Sequence, residues 1–523
     1  MSSTPAATWY REDNRFVTFA RNVSTRYVSI VIAAVTGLIV LPINIHYLGQ
    51  SAYGLWMLTA SITAYFSVLE LGYGSAVIKF VAEYRARRDV GALNEILSTL
   101  FTVFSGMAVV VYAVAITMAW LLPAIFNLAP HEVATARTML LIIAANVALH
   151  FVFAIYGGVV NGFERYYLNN VIGSAALIVG AVVNVLVLWM GYGLIELVAA
   201  TTLVRVAPYY LYCRNARIVF PELHLSLALF RRERLREVTG FSIYLAITDW
   251  ASRLNYAVDT FTIGIFLNTA AVGVYSVGLR LSEALFRMTN QLHAFLFPAI
   301  VEQATHGRVD AQRRLMVQAS RFQLAVALAL CGSVIAVADR LIRTWVGPGF
   351  EDGILTAQLL AYVVVVRALM GIPSTVLKGS GRPGFVAAAA TACAVANVLL
   401  SVLLVNWIGL LGVALGTVIP VTAVALFAIF PAACRAVELG VFAGYRRIVW
   451  PALWPALVVM TTVAFTRHFV PLQLAAVLAH MATGALAYVV LFVACGLERE
   501  ERQWFTTKLT ELWRRRSQVL AAA

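Results

Sequence analysis

The sequence predicts an all-α polytopic membrane protein of about fourteen transmembrane helices, arranged as two six-helix lobes followed by two extra C-terminal helices. Of the 523 residues, 61% are hydrophobic and only 12% are charged, whereas an average soluble domain is about 25% charged. Four long segments contain no Asp, Glu, Lys or Arg, namely 27–69, 96–131, 166–195 and 383–434. A membrane-spanning helix needs about 20 such residues, so several of these segments hold one span or two.

Fourteen spans fit the apolar segments: 23–45, 52–72, 96–122, 138–160, 168–190, 194–213, 239–267, 270–296, 316–338, 355–377, 384–406, 410–433, 449–466 and 472–495. Most Lys and Arg residues fall at the N-terminus, in the loops after even-numbered spans and at the C-terminus. Only Arg137, Arg340, Arg343 and Arg467 fall near the opposite side. Because basic loops stay in the cytoplasm, both termini are predicted to be cytoplasmic. The net charge of +14 therefore follows topology and indicates no nucleic-acid partner.

An internal repeat supports the two-lobed arrangement. A shift of 219 residues places 47–62 on 266–281, with Gly54 on Gly273, and places 79–93 on 298–312. Each copy begins on the cytoplasmic side and holds six spans, so the repeat is parallel and suits alternating access around a cavity near the membrane midplane. The predicted regions are an N-terminal lobe (1–213), a connector (214–238), a C-terminal lobe (239–434), two extra spans (435–496) and a basic cytoplasmic tail (497–523). The connector is expected to be either a basic amphipathic helix on the inner leaflet or a solvated linker.

Several charged residues lie inside predicted spans, where each costs roughly 2.5–3.5 kcal/mol and usually faces a bundle interior or a wet cavity. In span 8, Arg280 is followed by Glu283 and Arg287 at i+3 and i+7, which puts all three on one helix face. Arg280 is about 15 Å from the outer end at 1.5 Å per residue. Other charged residues inside predicted spans include Asp249, Arg253 and Asp259 in span 7, Arg26 at the start of span 1, Arg205 in span 6 and Arg367 in span 10.

A family resemblance covers essentially the whole chain. The segments "YLGQSAYGLW" after span 1, "LELGYGSAVIKFVAEYRARRD" closing span 2 and "YGGVVNGFERYYLNN" after span 4 resemble bacterial polysaccharide-export flippases. These O-antigen and exopolysaccharide translocases belong to the superfamily that also holds lipid II flippases and multidrug extruders. The resemblance implies a protein of the bacterial inner membrane. It also implies transfer of an undecaprenyl-pyrophosphate-linked oligosaccharide to the periplasmic leaflet, alongside a polymerase and a chain-length regulator.

The substrate that the resemblance implies gives the intramembrane arginines a role. Guanidinium groups bind phosphate oxygens bidentately and stay charged when desolvated. The hypothesis is that Arg253 and Arg280 bind the pyrophosphate, assisted by Arg26, Arg287 and Arg367. The alternative is that Asp249–Arg253 and Glu283–Arg287 are ion pairs that only fix helix packing, while Arg26 and Arg287 anchor helix ends. Under the repeat, Arg280 falls on Ser61, so the first copy lacks this charge, which favours a site feature.

No resident cofactor is expected, although transport is expected to be coupled to H⁺ or Na⁺ or to the membrane potential. The carboxylates that could serve ion coupling are Glu70, Asp249, Asp259 and Glu283, and each could equally be a permanent partner of an arginine. The sequence contains no motif of an enzyme active site and no metal-ligand spacing. The alternatives to a polysaccharide flippase are a cation antiporter of the extruder branch, a lipid II flippase and an integral glycan polymerase or ligase.

Overall fold

The computed structural model describes residues 15–66, 73–239, 258–290, 300, 302–303, 306, 308–498 and 501–503. The regular structure in these residues is helical throughout, and no strand occurs among them. The α-helices are α1 (Arg15–Phe66), α2 (Tyr73–Arg87), α3 (Val90–Ile125), α4 (Glu132–Gly162), α5 (Tyr166–Trp189), α6 (Leu194–Val206), α7 (Pro208–Val219), α8 (Thr269–Thr289), α9 (Val309–Trp345), α10 (Gly353–Gly379), α11 (Pro383–Ile408), α12 (Leu410–Ala423), α13 (Phe430–Ala436), α14 (Val441–Gly444), α15 (Trp450–Thr466) and α16 (Leu474–Leu491).

Eleven helical segments in the described part of the chain are long and apolar enough to cross a membrane. The first, Ala20–Phe66, has 47 residues, about 70 Å at 1.5 Å per residue, or roughly twice the ~30 Å hydrocarbon core. A kink at Gly49, with φ 75° and ψ 177°, lies between the predicted spans 23–45 and 52–72 and divides this helix into two segments. The second of these predicted spans extends beyond the described residues. A positive φ is readily adopted only by glycine. These findings confirm the all-α polytopic class, while the count of fourteen spans stays a prediction.

The first compact unit comprises Met1–Arg280 and Val398–Val413. Within it, α4 packs against α1, α2, α3, α6 and α7, and α1 packs lengthwise against α5. A polar seam joins α1 to α5, where Ser29 Oγ lies 2.6 Å from Ser174 Oγ and Asn170 donates to Thr25 Oγ1 at 3.1 Å. Hydroxyl and amide groups of this kind hold membrane helices together, because lipid offers no competing hydrogen bonds.

Two glycines mark a close helix crossing inside this first unit. A Cβ atom at Gly54, in the second half of α1, would overlap the carbonyl oxygen of Thr269 in α8. A Cβ atom at Gly273 in α8 would overlap the carbonyl oxygen of Gln50. The two contacts are reciprocal, since Gln50 and Thr269 are also 219 residues apart. Small residues allow membrane helices to approach this closely, and the crossing obeys the offset of the predicted repeat.

The connector 214–238 forms neither a single amphipathic helix nor a free linker. Helix α7 ends at Val219, a short 3₁₀ turn covers Leu227–Leu229, and a further helix covers 232–239. Asn94 of α3 clamps the segment between these elements, donating to Glu222 O at 2.9 Å and accepting from the His224 N–H at 3.0 Å. Because these backbone groups bond to α3, the connector is docked on the first unit.

The second helix of the connector is held by Arg234. Its guanidinium lies 3.4 Å from Glu95 and 3.3 Å from Glu237, and it donates to Tyr84 Oη at 2.8 Å. Burial, followed by the charge of Glu237, raises the pKa of Tyr84. This network adds side-chain contacts to the backbone clamp at Asn94.

The second compact unit comprises Leu281–Asn397 and Ala414–Ala523. Helix α9 is its central element and packs against α10, α15 and α16. In its most apolar stretch of 18 residues, 72% of the residues are buried. The core around α9 contains Met316, Leu324, Phe430, Ile448 and Tyr488. The predicted division into two six-helix lobes, connector, extra spans and tail stays a prediction.

Candidate functional site

Helix α8 carries three of the predicted site residues on one continuous helix, so Arg280, Glu283 and Arg287 share a face as their spacing predicts. Arg287 Nη2 lies 3.7 Å from Glu283 Oε2, and the two side chains are 52% and 31% exposed. The ion pair given above as the packing alternative therefore exists. Because both side chains are partly exposed, the pair leaves both groups accessible to a ligand. Exposed i,i+4 pairs contribute only about 0.3–0.5 kcal/mol in water.

Arg280 lies near the middle of α8, eleven residues after Thr269 and nine before Thr289. Its side chain is exposed, and its Nη2 lies 3.5 Å from the sulfur of Met57, a weak acceptor. Arg205 of α6 lies within range of an electrostatic interaction with Arg280. A pair of like charges inside membrane helices creates a positive field that an anion would relieve. Arg205 therefore becomes a candidate site residue.

Arg367 lies at the centre of α10, fourteen residues after Gly353 and twelve before Gly379. Its guanidinium carbon is 5.8 Å from the centroid of the Phe286 ring of α8, which is within cation–π range. Phe286 adjoins Arg287 in sequence, so the structure brings Arg367 to the charged segment of α8. Arg367 and Phe286 both belong to the second unit, and a substrate role for Arg367 and Arg287 stays a prediction.

Arg26 is exposed on α1, but its neighbours on the same stripe serve packing. Asn22 donates to Glu164 O at 2.7 Å and accepts from the Tyr167 N–H at 2.9 Å, so it fixes the chain where α5 begins. Ser29 bonds to Ser174 in the seam described above. The face of α1 that carries Asn22, Arg26 and Ser29 is therefore largely a helix-packing surface, and a substrate role for Arg26 stays a prediction.

Asp259 is one of the proposed ion-coupling carboxylates and is only 4% exposed. It lies in a helical segment, 258–266, and accepts a hydrogen bond from Tyr275 Oη of α8 at 2.5 Å. Arg253, Asp249 and Glu70 lie outside the described residues. Among the described residues, no group of three His, Cys, Asp or Glu side chains is placed to hold a metal ion.

A second buried carboxylate, Glu132, was not identified from the sequence. It begins α4 and is 6% exposed. Its Oε1 accepts from Thr269 at 2.9 Å and from Ser51 at 3.2 Å, and its Oε2 accepts from the Ala129 N–H at 3.0 Å. Glu132 therefore braces the glycine crossing between α1 and α8. The sequence feature that could have identified Glu132 is its position, because it is the first charged residue after the uncharged segment 96–131.

Arg321 is a further buried charge that the site hypothesis did not include. It is 2% exposed, with Nη1 2.8 Å from Glu501 and Nη2 2.9 Å from Glu498. Its position could have identified it from the sequence, because residue 321 lies inside the predicted span 316–338. Both carboxylates follow the last membrane helix, so this network ties α9 to the C-terminal end of the second unit.

Long apolar helices with arginines at their centres define a multi-pass integral membrane protein. Residues 19–304, more than half of the chain, match the family described as "Polysaccharide biosynthesis protein", and the chain belongs to that family. It is 22% identical over 420 residues to "Probable flippase AglR" of Haloferax volcanii, covering 79% of this chain and 81% of that protein. It is also 22% identical over 365 residues to "Uncharacterized membrane protein EpsK" of Bacillus subtilis, covering 67% of this chain and 70% of that one.

Two solved structures share the fold. The lipid II flippase MurJ in an inward closed conformation superposes with a TM-score of 0.70 at 14% identity, covering 90% of this chain and 97% of that chain. An inward-facing MATE-family multidrug transporter of the MOP superfamily gives a TM-score of 0.59 at 17% identity, covering 77% of this chain and 98% of that chain. These findings confirm the family resemblance read from the sequence and agree with a transport protein rather than an enzyme.

Proposed function

We propose that this protein is a flippase that moves an undecaprenyl-pyrophosphate-linked oligosaccharide from the cytoplasmic to the periplasmic leaflet of a bacterial inner membrane. Its product would feed surface polysaccharide biosynthesis, either O-antigen or exopolysaccharide, with a polymerase and a chain-length regulator acting on the delivered lipid. Membership of the polysaccharide biosynthesis family and the flippase fold support this proposal.

The observation that carries the proposal is the cationic centre of α8. Within the first unit, Arg280 of α8 interacts electrostatically with Arg205 of α6, a second positive charge. Within the second unit, the Arg367 guanidinium lies over the Phe286 ring. A diphosphate carries negative charges that need such partners to cross hydrocarbon, and arginine supplies paired donors to phosphate oxygens. A cation antiporter would place acidic groups at these positions. The charge of the site therefore favours an anionic headgroup.

The proposed transport cycle includes a conformational change at the glycine crossing between α1 and α8. The contact of Gly54 with α8 and of Gly273 with α1 lies at the end of these helices that the charge distribution predicts to be periplasmic. Release of substrate into the outer leaflet requires this crossing to part, as alternating access demands. We propose that a proton or sodium gradient, or the membrane potential, biases this change, with Asp259 and Glu283 as the described candidates for the ion-binding carboxyl.

The test uses cells in which this chain is the sole flippase of its pathway. Arg280→Ala and Arg205→Ala should each reduce surface glycan and accumulate lipid-linked oligosaccharide in the inner leaflet. The loss of one charge-assisted interaction, about 1.5–3 kcal/mol, corresponds to a decrease in flipping rate of roughly 10- to 100-fold. Arg214→Ala removes an exposed arginine at the predicted cytoplasmic end of α7 and is the matched control.

Full export by both variants at wild-type protein levels would overturn the proposed site. Rescue of cells depleted of their lipid II flippase, without restored surface polysaccharide, would instead identify lipid II as the substrate.

A further inference from the structure

A cavity of about 590 Å³ opens in the second unit, where the segment before α15 meets the end of the last membrane helix. Its walls include Arg446, Arg447, Phe442, Trp450, Trp454 and the chain at 495–498. The volume falls within the range of about 300–1,000 Å³ typical of small-molecule sites. The proposed substrate site on α8 uses none of these residues.

The arginines of this cavity are presented by an irregular helical turn. Tyr445–Val449 is a π-helix between α14 and α15, and such turns are frequent at functional sites. The Tyr445 ring stacks on Phe430 with centroids 4.5 Å apart, and its hydroxyl donates to Leu426 O at 2.5 Å. Because Tyr445 is fixed in this way, the adjacent Arg446 and Arg447 are held at the cavity.

The charges around the cavity leave it basic. Arg321 forms one wall, but its single positive charge is outweighed by the two carboxylates with which it pairs, Glu498 and Glu501. With Arg446 and Arg447 included, these five groups carry one net positive charge. In the described part of the chain, no carboxylate lies within ion-pair distance of Arg446 or Arg447, and both side chains are exposed. The sequence after residue 503 contains Lys508, Arg514, Arg515 and Arg516 against Glu511 alone. Its basic charge makes this tail a poor occupant of the cavity.

The aromatic residues place the cavity at the level of lipid headgroups. Phe442 is 80% exposed and Trp450 is 59% exposed, and aromatic side chains of this kind gather at the membrane–water interface. The predicted topology puts this end of α15 and α16 on the cytoplasmic side, where the leaflet is rich in anionic lipid. Basic pockets between membrane helices on that side bind anionic headgroups.

We propose that this cavity binds the phosphate-bearing headgroup of an anionic phospholipid, with Arg446 and Arg447 contacting the phosphate and Trp450 lying beside the glycerol region. The same phosphate chemistry occurs in undecaprenyl diphosphate and in inorganic phosphate. The site does not depend on the proposed flippase activity. Among the described residues that line the cavity, Cys495 is the single cysteine, and it is exposed, whereas Cys331, Cys393 and Cys434 are buried.

The test measures modification of Cys495 by N-ethylmaleimide in the full-length Cys213→Ser protein in nanodiscs, with the labelled site identified by mass spectrometry. Phosphatidylglycerol should slow labelling at least 5-fold relative to phosphatidylcholine. Arg446→Gln combined with Arg447→Gln should abolish this protection. Arg435→Gln, which alters an exposed arginine of α13 outside the cavity, should preserve it.

Equal labelling rates in the two lipids, or full protection in the double variant, would overturn the proposal. Equal protection by inorganic phosphate in phosphatidylcholine would replace the lipid with a free anion. Stronger protection by undecaprenyl diphosphate than by phosphatidylglycerol would replace the phospholipid with the substrate lipid. Photoactivatable phosphatidylglycerol added to the unmutated chain gives a second measurement. Its crosslinks should map to 442–454 or 495–498, and crosslinks found only elsewhere contradict the site.

Discussion

Gly54 and Gly273 stand 219 residues apart in the chain and meet where their two helices cross. The two glycines occupy equivalent positions in the two copies of the repeat. Each faces a backbone carbonyl oxygen of the other helix. Backbones this close gain dispersion and Cα–H···O contacts that larger residues would prevent. The crossing is therefore a point where the two repeats depend on each other for their geometry.

The first prediction concerns this crossing. Gly54→Ala and Gly273→Ala should each lower the thermal unfolding midpoint of the detergent-purified protein, because overpacking of this kind costs about 1–3 kcal/mol. Gly106→Ala is the control, since a Cβ atom there meets nothing within 4 Å and alanine favours a helix interior. Equal midpoints for Gly54→Ala and Gly106→Ala would show that the helices separate without cost.

The second prediction concerns the buried carboxylate that braces the crossing. Glu132→Ala removes the acceptor of Thr269, Ser51 and the Ala129 N–H, and buried donors left unsatisfied cost about 1–3 kcal/mol each. We expect a lower unfolding midpoint and faster crosslinking between cysteines introduced on the outer loops. Glu196→Ala removes an exposed carboxylate from the first turn of α6 and should change neither measurement.

The third prediction concerns Arg321. Removing one member of a buried charged network leaves the others uncompensated, at a cost of about 3–5 kcal/mol, so Arg321→Ala should strongly reduce the amount of folded protein recovered. Arg87→Ala is the control, because its pair with Glu83 at 2.7 Å is 61% exposed on the arginine side and such pairs contribute about 0–1 kcal/mol. Comparable recovery of the two variants would contradict a structural role for Arg321.

The fourth prediction separates ion coupling from packing at Asp259. Tyr275→Phe removes the hydroxyl that donates to this buried carboxylate and should destabilise the protein by about 1–3 kcal/mol. Asp259→Asn keeps an acceptor for Tyr275 and should be better tolerated in folding. If Asp259 binds the coupling ion, that variant should lose the dependence of glycan export on the ion gradient. Tyr112→Phe, which alters an exposed tyrosine of α3, is the control for both measurements.

The sequence was informative wherever a signal was local. The apolar segments predicted the helices, the i, i+3, i+7 spacing placed Arg280 with Glu283 and Arg287, and the repeat offset paired Gly54 with Gly273. The roles of Glu132 and Arg321 could not be predicted in this way. A lone acidic residue at the end of an apolar segment resembles a solvated loop, and a basic residue near a helix end resembles a membrane anchor. Only tertiary packing shows that both are buried.

The proximity of Arg205 to Arg280 was beyond sequence reasoning for the same reason. The two residues are 75 positions apart in the chain and lie on different helices, and no periodicity links them. In contrast, the pairing of Glu283 with Arg287 follows from helix geometry alone, which is why both the site hypothesis and its packing alternative could be stated in advance.

The reciprocal glycine contact also has an evolutionary consequence. A surface in which each partner presents the same residues to the other is the interface of a symmetric homodimer. A gene duplication that fused two such subunits would preserve the crossing, because both halves need it, while releasing other paired positions to diverge. Position 280 illustrates such divergence, since its counterpart in the first half is Ser61. A substrate site could therefore arise in one half while the shared contact kept the ancestral geometry.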